Sequence, residues 1–394
     1  MERHPSVSLK YWWQAFEIVI IGYTNPGYPV VRSILNCCEG VRYVRSRSFE
    51  SAIAKIRRLL KLPNRGLLKT GCTYLGGAAD SRVDLFHFFN LISCGCSRRP
   101  FVTTFETSVP RDLERGDYWH TRALEAIASD RCKRLMALSD CTRKIQENVF
   151  RDCGLGGLAR KVVVLHPPQR LISTKEEVRQ KAERIGNDVH FLFVGRAFWR
   201  KGGGEAVRAL ARIRKSYPVR LTLIGDVDYA DYTSDASVDS SVEMYRLIDR
   251  NRDWIHWARS MPNEELLRVM KGCDVGLLPT RADTYGYSVL EMQAAGLPCI
   301  TTDVRALPEI NPCDCGWQIG VRKNKFGEAY YADAAQIRSL SETIELGLEA
   351  VLESVLQNRA EIGRKAILAH QRVARAHSAR TYGQALKRIY EESL

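Results

Sequence analysis

This chain of 394 residues has no apolar run approaching about 18 residues, the length from which a membrane-spanning helix is read. Its first residues hold neither a charged-then-apolar leader nor a small-residue cleavage site. A cytoplasmic protein, soluble or peripheral at the cytoplasmic face of a membrane, is therefore expected. Twelve cysteines are present, among them adjacent Cys37 and Cys38 and the pairs Cys94/Cys96 and Cys313/Cys315, but none forms a two-residue-spaced cluster with histidines. A zinc site is not expected from such spacing. Cys72, Cys132, Cys273 and Cys299 stand among apolar neighbours, as free thiols do in a reducing compartment. No fixed-period repeat or low-complexity run occurs, which argues against a solenoid or a disordered array.

What is present suits a large α/β protein. Hydrophobic residues make up 45% of the chain, enough for a sizeable core in two domains. Apolar runs at 17–21, 83–89, 100–105, 134–139 and 161–165 read as strands, with helical patterns between them at 121–128 and 142–150. Strands alternating with helices predict a doubly wound parallel sheet. The second half repeats the pattern, and Pro167, Pro168, Gln169 and Arg170 form the best linker between the halves. The basic bias lies in the first half: residues 1–168 hold 26 Lys/Arg against 15 Asp/Glu, a net of +11, and residues 169–394 hold 33 against 30, a net of +3.

Two segments of the second half carry chemistry. In the first, the apolar strand 191–194 ends in Gly195 and Arg196, then passes through Lys201, Gly202, Gly203 and Gly204 into a helical pattern. Open α/β sheets bind ligands at the C-terminal ends of their strands, and a guanidinium fork and a mobile ammonium there suit a diphosphate. Arg200, between them, is expected on a solvated face. In the second, the apolar run 275–279 leads through Asp283, Tyr285, Gly286, Tyr287 and Ser288 into a helix that carries Glu291. The first N–H groups of a helix lack internal partners and sit at the positive end of its dipole, so phosphate can be held there.

Together with 223–226, 274–280, 294–298, Thr301, Thr302, Asp303, Pro308 and Glu309, these elements give the C-terminal half the order and spacing of a known family. The chain resembles the retaining glycosyltransferases of the family 4 type over about residues 188–320. The resemblance implies the GT-B fold, two Rossmann-like doubly wound domains with an interdomain cleft. It implies domains at 1–168 for the acceptor and 169–370 for the nucleotide sugar, with 371–394 crossing back onto the first. It further implies that Gly195, Arg196 and Lys201 hold the donor diphosphate with the 285–288 turn, that Glu291 takes the ribose hydroxyls, and that Asp283 contacts the transferred sugar. The family usually has glutamate at that last position; Asp283 is one methylene shorter, which shifts its reach. Backbone groups near 255–259 would recognise the base. No metal and no cofactor beyond the nucleotide-diphosphate sugar is expected, because the cations and the helix terminus supply the positive potential.

The first half is less legible. Where the family often has a histidine after the strand ending in Phe105, this chain has Glu106. Glu106 is a candidate polar group toward the acceptor or donor sugar, or a loop carboxylate paired with Arg111. His87, among Phe86, Phe88 and Phe89, is a weaker catalytic candidate and reads more readily as core. Gly22, Asn25 and Gly27, in a glycine- and proline-rich turn after the first strand, are candidates for the acceptor side. Residues 42–69 hold Arg42, Arg45, Arg47, Lys55, Arg57, Arg58, Lys61, Arg65 and Lys69, and from 49 to 60 the apolar residues recur at helical spacing. Such a helix suits an anionic membrane surface or an ordinary packed position. No nucleic-acid module accompanies the cations. The function implied is transfer of a sugar from a nucleotide-diphosphate donor to a lipid-linked or glycan hydroxyl with retention. The alternatives are a sugar-nucleotide epimerase of the same fold, a non-catalytic sugar-nucleotide-binding subunit, and a peripheral membrane scaffold.

Overall fold

The computed structural model describes residues 18–23, 33–35, 37–45, 59, 82–92, 94, 99–111 and 118–394. Among these residues twelve strands build two six-stranded sheets. The first contains β1 (Val19–Tyr23), β2 (Val41–Arg45), β3 (Leu85–Phe89), β4 (Phe101–Phe105), β5 (Cys132–Ala137) and β6 (Val162–Val164) in the order β2-β1-β3-β4-β5-β6. Strand β1 runs parallel to both of its neighbours. The second contains β7 (Val189–Ala197), β8 (Val219–Asp226), β9 (Ile255–Ala258), β10 (Val275–Leu278), β11 (Cys299–Thr302) and β12 (Gly316–Ile319), ordered β12-β11-β10-β7-β8-β9 and parallel throughout.

Helices follow most strands: α1 (Tyr118–Ala128), α2 (Asp140–Asp152), α3 (Lys175–Glu183), α4 (Gly203–Ile213), α5 (Ser241–Arg250), α6 (Asn263–Gly272), α7 (Tyr287–Ala294), α8 (Leu307–Ile310), α9 (Ala334–Gln357), α10 (Ala360–Ala376) and α11 (Ala379–Glu391). Phe191, Leu192 and Phe193 are fully buried, and so are Val275, Leu277 and Leu278. Each such side chain contributes about 1.5–3 kcal/mol, which makes β7 and β10 the spine of the second sheet. Cys132, Cys273 and Cys299 are buried free thiols, and burial pushes the Cys273 thiol up to about 12.

By compactness the chain falls into two units. One comprises Met1–Thr103, Asp112–Leu135 and Gly383–Leu394, the other Thr104–Arg111 and Met136–Tyr382. The division runs through β4 and β5, and the chain's last twelve residues fall in the first unit. Among the described residues no helix is long and apolar enough to cross a membrane.

Strand β2 was not foreseen. Its Val-Arg-Tyr-Val-Arg sequence forms an edge strand in register with β1, with Val41 opposite Val19 and Arg45 opposite Tyr23, so Arg42 and Arg45 belong to a sheet edge. The remainder of the cationic stretch lies outside the described residues, apart from exposed Leu59.

Candidate functional site

In the second sheet the chain leaves the central strand β7 in one direction through β8 and β9 and in the other through β10, β11 and β12. The topological switch therefore lies between β7 and β10, where ligands bind open α/β sheets. Both chemistry-bearing segments leave the sheet at this point.

The first, after β7, is pinned by aromatic side chains. Phe198 and Trp199 are buried, and the Trp199 indole N–H donates to the Val227 carbonyl at 2.9 Å. A Cβ on Gly195 would lie 2.8 Å from Lys201 Cγ, so glycine is what lets the lysine stem cross the strand end. Gly202 has φ +81°, and a Cβ there would meet the Pro279 carbonyl oxygen at 2.0 Å. Only glycine fits this contact between the two loops. Arg196 is exposed, its Cζ 5.1 Å from the Tyr229 ring centre, and has no ion-pair partner among the described residues.

Arg200 departs from expectation. It does not stand on a solvated face: its Nε donates to Asp231 at 2.6 Å, Nη1 donates to the Ala282 carbonyl at 3.2 Å, and the guanidinium lies over Tyr232. Its own carbonyl accepts from the Arg281 N–H and the Thr280 hydroxyl. The residue joins the two loops.

Sequence reasoning missed the larger joint. Arg281 is fully buried. Its guanidinium donates to Glu205 Oε1 at 2.9 and 2.7 Å, to both Asp239 oxygens at 2.7 and 2.8 Å, and to the Thr233 carbonyl at 3.0 Å. Ser341 donates to the same Glu205 oxygen. Burial pushes the Glu205 carboxyl up, but Arg281 and Arg208 hold it below its ordinary value. This network fixes the turn that carries Asp283 against α4, the helix that follows the glycine-rich loop.

Asp283 ion-pairs with Lys201 through Oδ2. Its Oδ1 accepts the N–H groups of Tyr285 at 3.3 Å and Gly286 at 3.1 Å. Burial opposes ionisation, yet Lys201, Arg200 and the Tyr285 N–H hold the carboxyl below its ordinary value. Two N–H groups of the turn, expected to be open, are thus taken by Asp283. The next two, of Tyr287 and Ser288 at the start of α7, have no partner among the described residues. Gly286 caps α7 at φ +94°. The buried Tyr287 hydroxyl has no hydrogen-bond partner among the described residues, whereas the Tyr285 hydroxyl lies 3.4 Å from His166 Nδ1.

Glu106 is buried just beyond β4, its carbonyl accepting from Thr142 at 2.8 Å. Burial pushes its carboxyl up and Asp283 adds to the rise, while Arg111, Lys201 and Arg305 pull it down. The structure thus gathers Glu106, Lys201, Asp283 and Arg305 into one electrostatic neighbourhood.

Glu291 stands one helical turn beyond Tyr287 and faces a different space. It lines a cavity of about 510 Å³ with Arg170, Ile172, Asn263, Leu267 and Arg268. Burial pushes its carboxyl up, and it has no hydrogen-bond partner among the described residues. Strand β9 carries Trp257, whose indole donates to the Gly225 carbonyl at 3.0 Å, and Arg259, just past β9, pairs with Asp228.

Two candidates of the first half turn out to be packing residues. His87 is completely buried on β3, stacked on Phe89 at 4.3 Å, and its Nδ1 lies 2.6 Å from the Tyr390 hydroxyl. Burial lowers its pKa to about 3, so it is a neutral core histidine and not an accessible acid or base. Gly22 lies within β1 and not in the turn, and a Cβ there would meet Phe86 at 2.9 Å. Asn25 and Gly27 lie outside the described residues. Asp140, His166 and Glu309 bring possible metal-ligand atoms within 4.8 Å of one another. Both Glu309 oxygens, however, accept the N–H groups of Asp140 and Cys141 at the start of α2.

Comparison with known proteins bears on the second half of the chain and on the fold. Residues 188–332 match the family model described as "Glycosyl transferases group 1". A glycogen synthase of Mycobacterium tuberculosis is 26% identical over 271 residues, 68% of this chain, and the chain spans only 57% of that relative. Among solved structures, HepE of Anabaena in complex with UDP superposes with a TM-score of 0.60 at 14% identity, covering 95% of this chain and 99% of that one. Sucrose-phosphate synthase of Thermosynechococcus elongatus gives 0.56 at 15% identity, over 95% and 88%. The chain therefore has the GT-B fold, and its residues 188–332 are similar to group 1 glycosyl transferases.

Proposed function

We propose that the protein moves a sugar from a nucleotide-diphosphate donor to the hydroxyl of a glycan or lipid-linked acceptor, with retention of configuration and without a metal. One observation carries the reading: Arg196 and Lys201 at the end of β7, and the open N–H groups of Tyr287 and Ser288 after β10, belong to the two segments that leave the strands flanking the switch point of the second sheet. A diphosphate leaving from there departs into preorganised positive potential. Lys201 offers three donors; one pairs with Asp283, leaving two for phosphate oxygens.

The carboxylate of Asp283 has three of its roughly four acceptor positions filled, so it offers one position to a sugar hydroxyl. Held by a cation and two N–H groups, it is a poor nucleophile. That supports attack by the acceptor on the face the diphosphate leaves, with no covalent enzyme intermediate. Glu106 is the candidate to receive the acceptor proton, since burial keeps its carboxyl basic. Glu291 would take the ribose hydroxyls from the wall of its cavity, whose volume falls in the range usual for small-ligand pockets.

Incubation with a panel of UDP-, GDP- and ADP-sugars, with and without a cytoplasmic-membrane lipid extract, tests this reading. The neighbour solved with UDP makes UDP-sugars the first to try. Nucleotide release from one donor, accelerated by acceptor, is expected. No release from any donor, with no thermal shift by any nucleotide, would overturn it.

A further inference from the structure

Arg305 is the residue of the second sheet's ligand edge that the proposed donor chemistry leaves unused. It sits in the loop between β11 and α8 at φ +50°, a left-handed conformation uncommon outside glycine and often kept at functional positions. Its backbone N–H donates to the Gly327 carbonyl at 2.8 Å, which holds that conformation. The side chain is only 4% exposed, and Nη1 pairs with Glu328 Oε1 at 2.9 Å. Nε and Nη2 are buried and have no hydrogen-bond partner among the described residues.

Such orphans are rare enough in folded proteins that each calls for an explanation, a functional role among them. Here the two orphaned nitrogens share one edge of the guanidinium plane, whose parallel N–H groups match the two oxygens of a carboxylate or phosphate. Arg305 acts electrostatically on Glu106, which also feels Lys201 and Asp283. Near it Tyr331 packs at 5.8 Å from Tyr232, the ring beneath Arg200.

We propose that Arg305 is a specificity-determining residue whose free Nε–Nη2 edge binds an anionic group, carboxylate or phosphate, carried by the sugar of one substrate. The assignment rests on the transferase reading above. The group belongs either to a donor of the uronic-acid type or to an acidic or phosphorylated acceptor, and the two sources are separable.

Glucose, glucuronate and glucose 6-phosphate are titrated calorimetrically into the full chain, alone and saturated with whichever of UDP, GDP and ADP binds. UDP-glucose and UDP-glucuronate are compared in parallel. Arg305→Gly accepts the left-handed backbone without strain, so it removes the guanidinium and keeps the loop; Arg305→Lys keeps the charge without the fork. In the wild type at least one anionic sugar should bind about tenfold or more tighter than its neutral counterpart, as a charge-assisted bidentate contact provides. Arg305→Gly should abolish that ratio and Arg305→Lys reduce it, with nucleotide affinity unchanged within about twofold. Preference for UDP-glucuronate over UDP-glucose places the anion on the donor; preference among the free sugars with nucleotide bound places it on the acceptor. Equal affinities for anionic and neutral sugars in every arm, or a preference that survives Arg305→Gly, would overturn the assignment. If no nucleotide binds but an Arg305-dependent preference remains, the transferase reading fails and the anion site stands.

Discussion

Replacing Arg281 with methionine leaves the Glu205 and Asp239 carboxylates buried without their shared counter-ion. The three side chains are 0%, 0% and 2% exposed, so water does not compensate. Removing one partner of a buried pair costs about 3–5 kcal/mol. At about 2–4 °C per kcal/mol for a unit of this size, the melting temperature should fall by about 6–20 °C.

The pH dependence gives this prediction a sign. In the native protein the Glu205 carboxyl is pushed up by burial but held below its ordinary value by Arg281. Its contribution is therefore complete above the unfolded pKa of about 4.3 and lost as pH falls through the lower folded value. Without Arg281 burial is expected to outweigh what Arg208 and the Ser341 hydroxyl still supply, so the folded pKa rises above the unfolded one and acid relieves the penalty. The gap between Arg281→Met and wild type, followed by circular-dichroism melts, should narrow from about pH 8 to about pH 5. Adding Glu205→Gln and Asp239→Asn should recover most of the loss, because neutral amides are cheaper to bury. A gap under about 1 kcal/mol, the scale of an exposed pair, or one that does not change with pH, would refute the reasoning.

Gly202→Ala should destabilise by more than about 2 kcal/mol, since it adds a left-handed alanine to a backbone clash; melts check this, and a near-silent substitution would mean the loops separate easily. Glu291→Gln should weaken nucleotide binding about tenfold or more, as loss of a charged hydrogen-bond acceptor does. In wild type the same affinity should drop as pH falls through a Glu291 pKa above the ordinary 4.5, and a flat pH profile would remove Glu291 from the site. His87, with a folded pKa near 3, contributes stability that is whole above its unfolded pKa of about 6.5 and lost as pH falls toward 3. His87→Asn should therefore flatten the acid side of the stability profile, and an unchanged profile would show that His87 titrates freely.

The architecture was legible because it depends on local patterns. The apolar runs at 191–194 and 275–279, each broken by glycine at a ligand-facing turn, sufficed to place β7, β10 and the loops that follow them. What escaped depends on partners distant in sequence. Arg281 went without a sequence reading, because its partners stand at 205, 233 and 239. Arg200 reads as solvated because nothing nearby announces Asp231 or Ala282 as its partners. Gly22 reads as the start of a turn, whereas its need for glycine comes from Phe86 on the neighbouring strand. Strand β2 escaped because two arginines on an edge strand look like part of a cationic run. Glu106 was visible only as a departure from the family's histidine; its raised carboxyl comes from burial and from Asp283, neither of which a sequence displays.

The central claim is that the switch point of the second sheet holds a nucleoside diphosphate through Lys201. Calorimetric titration of UDP, GDP and ADP against their monophosphates, in wild type and Lys201→Ala, tests it most directly. At least one diphosphate should bind about tenfold or more tighter than its monophosphate, and that margin should vanish in a folded Lys201→Ala protein. Equal affinity for mono- and diphosphates, no binding of either, or a margin untouched by the substitution would contradict it.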